Sequence, residues 1–202
     1  MIEHIHWLGN NSFLIACTPA IYINPWRIAS PDIPADVILV GHDGHETCSP
    51  ADIAKLRNAN TRVIASESAA QELHDCEILR PWQTISLGRA SVKGIPTVSA
   101  STRRSAAGQS LGFVISINFF DIYYTGDTVS LPETGVSQPD ILILPISSTE
   151  GMTTARAADF VARIRPRWTI PCKWDFASRS NAVNFRREVA DASEVVILQP
   201  ET

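Results

Sequence analysis

No apolar run in this sequence is long enough to cross a bilayer. Stretches such as Val37 to Val40 and Ile141 to Ile146 stop far short of the roughly 20 residues that a spanning helix needs. Positive charge is also scarce: 17 Lys and Arg face 21 Asp and Glu, for a formal net charge of -4. With no cationic surplus to neutralise phosphates, a general nucleic-acid binder is excluded. The opening Met-Ile-Glu-His-Ile-His has neither the basic segment nor the apolar core of a secretory signal. Cysteine is thin and scattered, at Cys17, Cys48, Cys76 and Cys172, without a Cys-x-x-Cys pair or the density of a disulfide scaffold. Gly-x-Gly-x-x-Gly, Walker and Gly-x-Ser-x-Gly signatures are missing as well. These absences point to a reduced, cytoplasmic protein. What remains is an ordinary globular composition, 45% hydrophobic and 19% charged over 202 residues. That length suits one domain, 1–202, with a sizeable core.

The chain opens as an antiparallel meander. Ile2 to Leu8 and Ser12 to Cys17 flank Gly9-Asn10-Asn11, which is hairpin chemistry, and Ile21 to Ile23 stops at Asn24-Pro25. Asp36 to Val40 is a continuous apolar run of the kind buried on both faces. Ser49, Pro50 and Asp52 then mark a helix start. Strands are expected at Arg62 to Ala65, Glu77 to Leu79, on both sides of Gly88-Arg89, at Leu111 to Ile117, and at Ile122 to Thr125. A short helix is expected over Ser66 to His74. The last third alternates: strand Asp140 to Pro145, helix Thr153 to Ile164, strand Arg167 to Ile170, helix Asn181 to Ala190, strand Val195 to Leu198. Two mixed sheets with helices on the outer faces fit this order better than one doubly wound sheet.

The loop Gly41-His42-Asp43-Gly44-His45-Glu46-Thr47-Cys48 gathers two imidazoles, two carboxylates and a thiol at the end of a buried strand. Ligand sites of α/β sheets sit at such ends, and His, Asp and Glu are the usual nitrogen and oxygen ligands of zinc. Read from composition alone, the same loop is equally a solvated polar turn. Cys48 or Cys172 as a nucleophile would need His42 or His45 as its base. Arg103 and Arg104, in the Ser-rich loop Ser99 to Ser110, have the chemistry to clamp phosphate or carboxylate. His4 and His6 sit two apart on one face of the expected first strand, where packing is the plainer reading, and His74 ends the short helix. Trp26, Trp82, Trp168 and Trp174 read as core or rim packing.

The segments Trp7-Leu8-Gly9-Asn10-Asn11-Ser12-Phe13-Leu14-Ile15, Ile23-Asn24-Pro25-Trp26 and Ala35 to Asp43 resemble the metallo-β-lactamase superfamily. Within it they are most similar to the branch of L-ascorbate-6-phosphate lactonase. Gly112-Phe113-Val114-Ile115, Ile122 to Thr128 and Ile170-Pro171 continue the likeness across nearly the whole chain. The resemblance implies an α/β fold, an αββα sandwich of two mixed β-sheets with helices on the outer faces. It also implies metal-hydroxide attack on an ester, lactone or phosphoester.

The family's metal motif is altered here. Of His-x-His-x-Asp-His, His42 is kept, but Gly44, Glu46 and Thr47 stand at the other three positions. Ser99 to Ser110 contains no loop His, Asp127 of the Gly-Asp pair is kept, and Lys173 takes the last His position. Asn10 and Asn24 stand at a usual His and a usual Asp. For metal there remain His42, Glu46 and Asp127, with His45 off the pattern, which is too few for a dinuclear centre. Lys173 supplies the missing positive charge beside Asp127 or Glu46, and Trp174 walls the pocket. The expected protein is a diverged member without a resident cofactor that binds a small anionic ligand or a partner in the old cleft, with Asp127 and Lys173 as candidate catalytic residues and Arg103, Arg104 and Trp174 as candidate substrate-binding residues. The alternative is a hydrolase with one rearranged zinc or other divalent metal. A homo-oligomer is a further expectation, and neither nucleic acid nor membrane is an expected partner.

Overall fold

The fold is read from a computed structural model that describes residues 1–29, 31–97, 109–126, 128, 138–146, 152–174 and 180–201. Arg103, Arg104 and Asp127 therefore lie outside the described residues.

Gly9 and Asn10 both adopt positive φ, 98° and 47°, which turns β1 (Ile5–Gly9) back onto β2 (Ser12–Ile15). β3 (Ile21–Ile23), β4 (Val37–Val40), β5 (Arg62–Ala65) and β6 (Glu77–Ile78) follow in spatial order, antiparallel up to β3 and parallel from there on. The second sheet runs β7 (Thr84–Ser86), β8 (Ala90–Pro96), β9 (Leu111–Ile117), β10 (Phe120–Tyr124), β11 (Ile141–Pro145), β12 (Trp168–Cys172) and β13 (Glu194–Val195). It too is antiparallel in its first strands and parallel from β10 onward.

Alternation explains the layers. Phe13, Ile15, Ile21, Ile23, Val37 and Leu39 face the second sheet, while Leu14, Tyr22, Ile38 and Val40 face outward. The outward row packs on Ile53 and Leu56 of α1 (Pro50–Leu56). On the far side Tyr123 meets Phe160 of α2 (Thr154–Ile164), with α3 (Ser180–Glu188) beside it. Each buried Ile or Phe contributes roughly 1.5–3 kcal/mol, so these interleaved rows dominate the stability. The result is the expected αββα sandwich. No helix among the described residues is long and apolar enough to cross a membrane.

Three expectations are corrected. Ile2–His4 is a 3-10 turn and β1 begins at Ile5, so His4 and His6 do not share a strand face. Ser66 to His74 shortens to a 3-10 turn, Ala69–Gln71, because Ser66 Oγ accepts the Ala69 amide and the Gln109 carbonyl accepts that of Ser68. His74 consequently ends no helix. The last strand is Glu194–Val195, ahead of the expected Val195 to Leu198.

Candidate functional site

β3 and β4 run parallel, so Asn24 and Gly41 leave the first sheet at one edge. Asn24 takes φ 46°, which an Asn tolerates, and its buried amide turns inward. Its Oδ1 accepts the Gly41 amide at 2.9 Å, and its Nδ2 donates to the Tyr124 hydroxyl at 2.8 Å. That hydroxyl donates to the Asn11 carbonyl at 3.0 Å. One polar chain thus ties three strand ends of the first sheet to β10 of the second. Gly41 allows the approach: a Cβ there would lie 2.3 Å from the Leu111 carbonyl oxygen, and Leu111 donates its own amide to the Gly41 carbonyl at 2.8 Å.

His42 follows, half-buried, with its ring folded over its own loop. Nδ1 accepts the Gly44 amide at 2.8 Å, and Nε2 lies 3.3 Å from Asp43 Oδ1. Thr47, buried, donates its hydroxyl to the carbonyls of His42 (3.1 Å) and Gly44 (2.9 Å). A Cβ at residue 44 would lie 2.7 Å from His42 Nδ1, so this ring position requires the glycine. Gly44 and Thr47 close the loop upon itself.

Glu46 and His45 are exposed, and Glu46 accepts a hydrogen bond from Asn10 Nδ2. Cys48 is buried, and burial, with Glu72 and Asp43 adding to it, pushes its thiol up to about 11. A thiol raised in this way is protonated at neutral pH and so is a poor nucleophile without an activating base.

The second sheet delivers its own edge to the same place. Buried Cys172 donates from Sγ to Asn11 Oδ1 at 3.9 Å. Trp174 is buried, its Nε1 donating to the Pro171 carbonyl at 3.2 Å and its ring 5.3 Å from that of Trp7. Trp7 Nε1 in turn donates to the Asn10 carbonyl at 2.9 Å. Lys173, half-buried at φ 57°, lies in sequence between these two anchored residues. The expected pairing of Lys173 with Asp127 falls outside the described residues. Gly126 packs against Leu111, which brings this part of the chain to the Gly41 edge.

Asn11 adds a feature the sequence did not mark. It is buried, and its Nδ2 has no hydrogen-bond partner among the described residues. Among the described residues no group of three or more His, Cys, Asp or Glu side chains could hold a metal ion. The hydrogen-bonded chain from Asn11 to Gly41 was equally unforeseen, since it joins residues about 100 positions apart; Asn24-Pro25 was its one local sign.

A family model described as "Beta-lactamase superfamily domain" matches residues 4–173. A protein of Archaeoglobus fulgidus named a metal-dependent hydrolase is 28% identical over 221 residues, covering 97% of this chain and 96% of that protein. One of the same name from Thermococcus kodakarensis is 26% identical over 221 residues, with 97% and 96% covered. Among solved structures, a Parabacteroides distasonis protein superposes with a TM-score of 0.85 at 22% identity, covering 96% of this chain and 93% of that one. A metallo hydrolase from Ignicoccus hospitalis gives 0.81 at 16% identity, covering 98% and 95%. At such identities the structural likeness is one of fold.

Proposed function

Because the chain belongs to the beta-lactamase superfamily, we propose that it keeps the cleft of a metal-dependent hydrolase and uses it, without a dinuclear metal centre, to bind a small anion. The observation that carries this reading is a reversal of polarity at the cleft edge. Side chains at the altered motif positions are engaged within the protein: Glu46 with Asn10, Thr47 with two carbonyls, Asn24 with Gly41 and Tyr124. His42 Nδ1 is engaged by the Gly44 amide. The same edge carries donor groups: Asn11 Nδ2, buried and unpartnered among the described residues, and Lys173, itself also engaged within the protein. An N–H donor and an ammonium suit a carboxylate, phosphate or lactone oxygen and oppose a divalent cation. The donor set therefore does not fit a pair of metals, and no hydrolytic step is routed through them. Arg103 and Arg104, outside the described residues, are the further cations proposed for that anion, and the lactonase-like segments favour a ligand of sugar-acid or sugar-phosphate size.

A second reading, a hydrolase with one rearranged metal, is favoured by His42 staying beside Glu46 on the loop and by the relatives named metal-dependent hydrolases. Elemental analysis separates the two. Protein dialysed against zinc should hold well under one equivalent per chain, and inorganic phosphate should raise its melting temperature in a way that Lys173→Met abolishes. Two bound zinc ions, or ester hydrolysis that appears with zinc and vanishes with a chelator, would overturn the proposal.

A further inference from the structure

The outward face of the first sheet is not covered evenly. α1 lies over β4 and β5, but β1 to β3 carry instead a groove of about 510 Å³. That volume lies within the roughly 300–1,000 Å³ of small-molecule sites. Strand register fixes its floor: His6 pairs with Leu14, and Leu14 with Tyr22, so these three side chains form one row across the sheet. Trp26 to Ala29 and Pro31 to Ile33 make one wall, and Pro200 with Glu201 the other.

Both walls are anchored. Asp52 accepts the amides of Arg27 (2.8 Å) and Ile28 (3.2 Å), and Lys55 donates to the Ile28 carbonyl at 2.7 Å. Tyr22 closes the other end of that wall by donating to the Ile33 carbonyl at 2.7 Å. Opposite, Glu201 donates its amide to the Trp7 carbonyl at 2.8 Å, and its carboxylate meets His6 Nδ1 at 2.6 Å. The groove is thus a built feature of the sheet.

Its charges are arranged unequally. The Glu201 carboxylate is held by the His6 ring. The Arg27 guanidinium is stacked on Trp26, 4.1 Å from the ring centroid, with no ion-pair partner among the described residues. Arg27 is fixed to the start of α1, near the edge where β3 and β4 end, whereas Asp32 precedes Ile33 toward the edge where β4 begins. One end therefore offers an unmatched cation on an aromatic platform, the other repels anions, and Leu14, Tyr22 and Ile28 lie between.

We propose that this groove is a second ligand site, distinct from the cleft, for a small amphiphilic carboxylate: an acyl chain along Leu14 and Tyr22, its carboxylate on Arg27. Arg27's planar fork suits a carboxylate, and the apolar floor suits methylenes.

Octanoate is the probe and octan-1-ol its uncharged control, each titrated into the full chain by calorimetry. Octanoate should bind saturably. Arg27→Gln should weaken it about tenfold, the size of one lost charge-assisted contact, and leave octan-1-ol unchanged. Ala29→Trp, at the exposed rim, should block both without touching the core. Octanoate that fails to saturate the folded protein, that binds Arg27→Gln equally well, or that is displaced by phosphate and so sits in the cleft, would overturn the proposal.

Discussion

Asn24 illustrates how one side chain organises the cleft edge. Its amide satisfies the Gly41 N–H and the Tyr124 hydroxyl together, both in buried surroundings. Asn24→Ala orphans the Gly41 amide, takes one hydrogen bond from the Tyr124 hydroxyl and leaves an alanine at φ 46°, so it should cost about 2–4 kcal/mol, read as a lower urea midpoint. Tyr124→Phe should cost less, and a double-mutant cycle should find the two losses coupled. Asp52 yields a pH test. Burial acts to raise its pKa, but hydrogen bonds from Lys55, Ser49 and the Arg27 amide outweigh burial, and the carboxyl sits below its ordinary value. A carboxyl lowered on folding stabilises the protein above the ordinary carboxylate range, and that contribution fades as pH falls through its folded value. Asp52→Asn should therefore lose about 1–3 kcal/mol at neutral pH. The gap to wild type should narrow as urea midpoints are taken into acid.

At the scale of elements, the β9–β10 hairpin turns through Asn118 and Phe119 at φ 50° and 65°, a pair of positive values where Asn-Gly is the usual choice. Phe119 is fully exposed and gains no burial. Left-handed backbone costs a non-glycine residue about 1–2 kcal/mol, of which glycine's greater unfolded-state entropy returns about half. Phe119→Gly should therefore stabilise the protein by about 0.5–1 kcal/mol, measured as a raised thermal midpoint. Helix starts were legible because capping is local: Ser49 accepts the Asp52 amide and Thr153 that of Arg156. The Ser66 to His74 segment misled for the complementary reason. Its serines draw amides into tight turns, and a bond to Gln109 holds it from outside the segment.

For the whole molecule, one polar chain crosses between the two sheets at the cleft edge and leaves Asn11 Nδ2 unpartnered among the described residues. If the donor-rich edge is what the cleft is for, the Asn11→Asp variant, which removes the unpartnered N–H, should bind phosphate more weakly while zinc uptake stays the same or rises. Equal phosphate affinity in wild type and variant would count against it.

Period-two alternation, strand-ending Asn-Pro, the hairpin Asn pair and helix caps are local, and they carried the layer order, the element types and the family likeness. The residues at the expected ligand positions were legible for the same reason, since they are identities along the sequence. What those residues do instead was decided only by tertiary structure. That Gly44 seats the ring of His42, that Asn10 reaches Glu46, and that Tyr124 joins Asn11 to Asn24 are meetings of side chains far apart in sequence or across a turn. The groove on the outer face belongs to the same class. Its floor is set by the register of three strands and its walls by segments from both ends of the chain. Hydrogen bonds and cavities depend on distance in space, which no spacing along the sequence encodes.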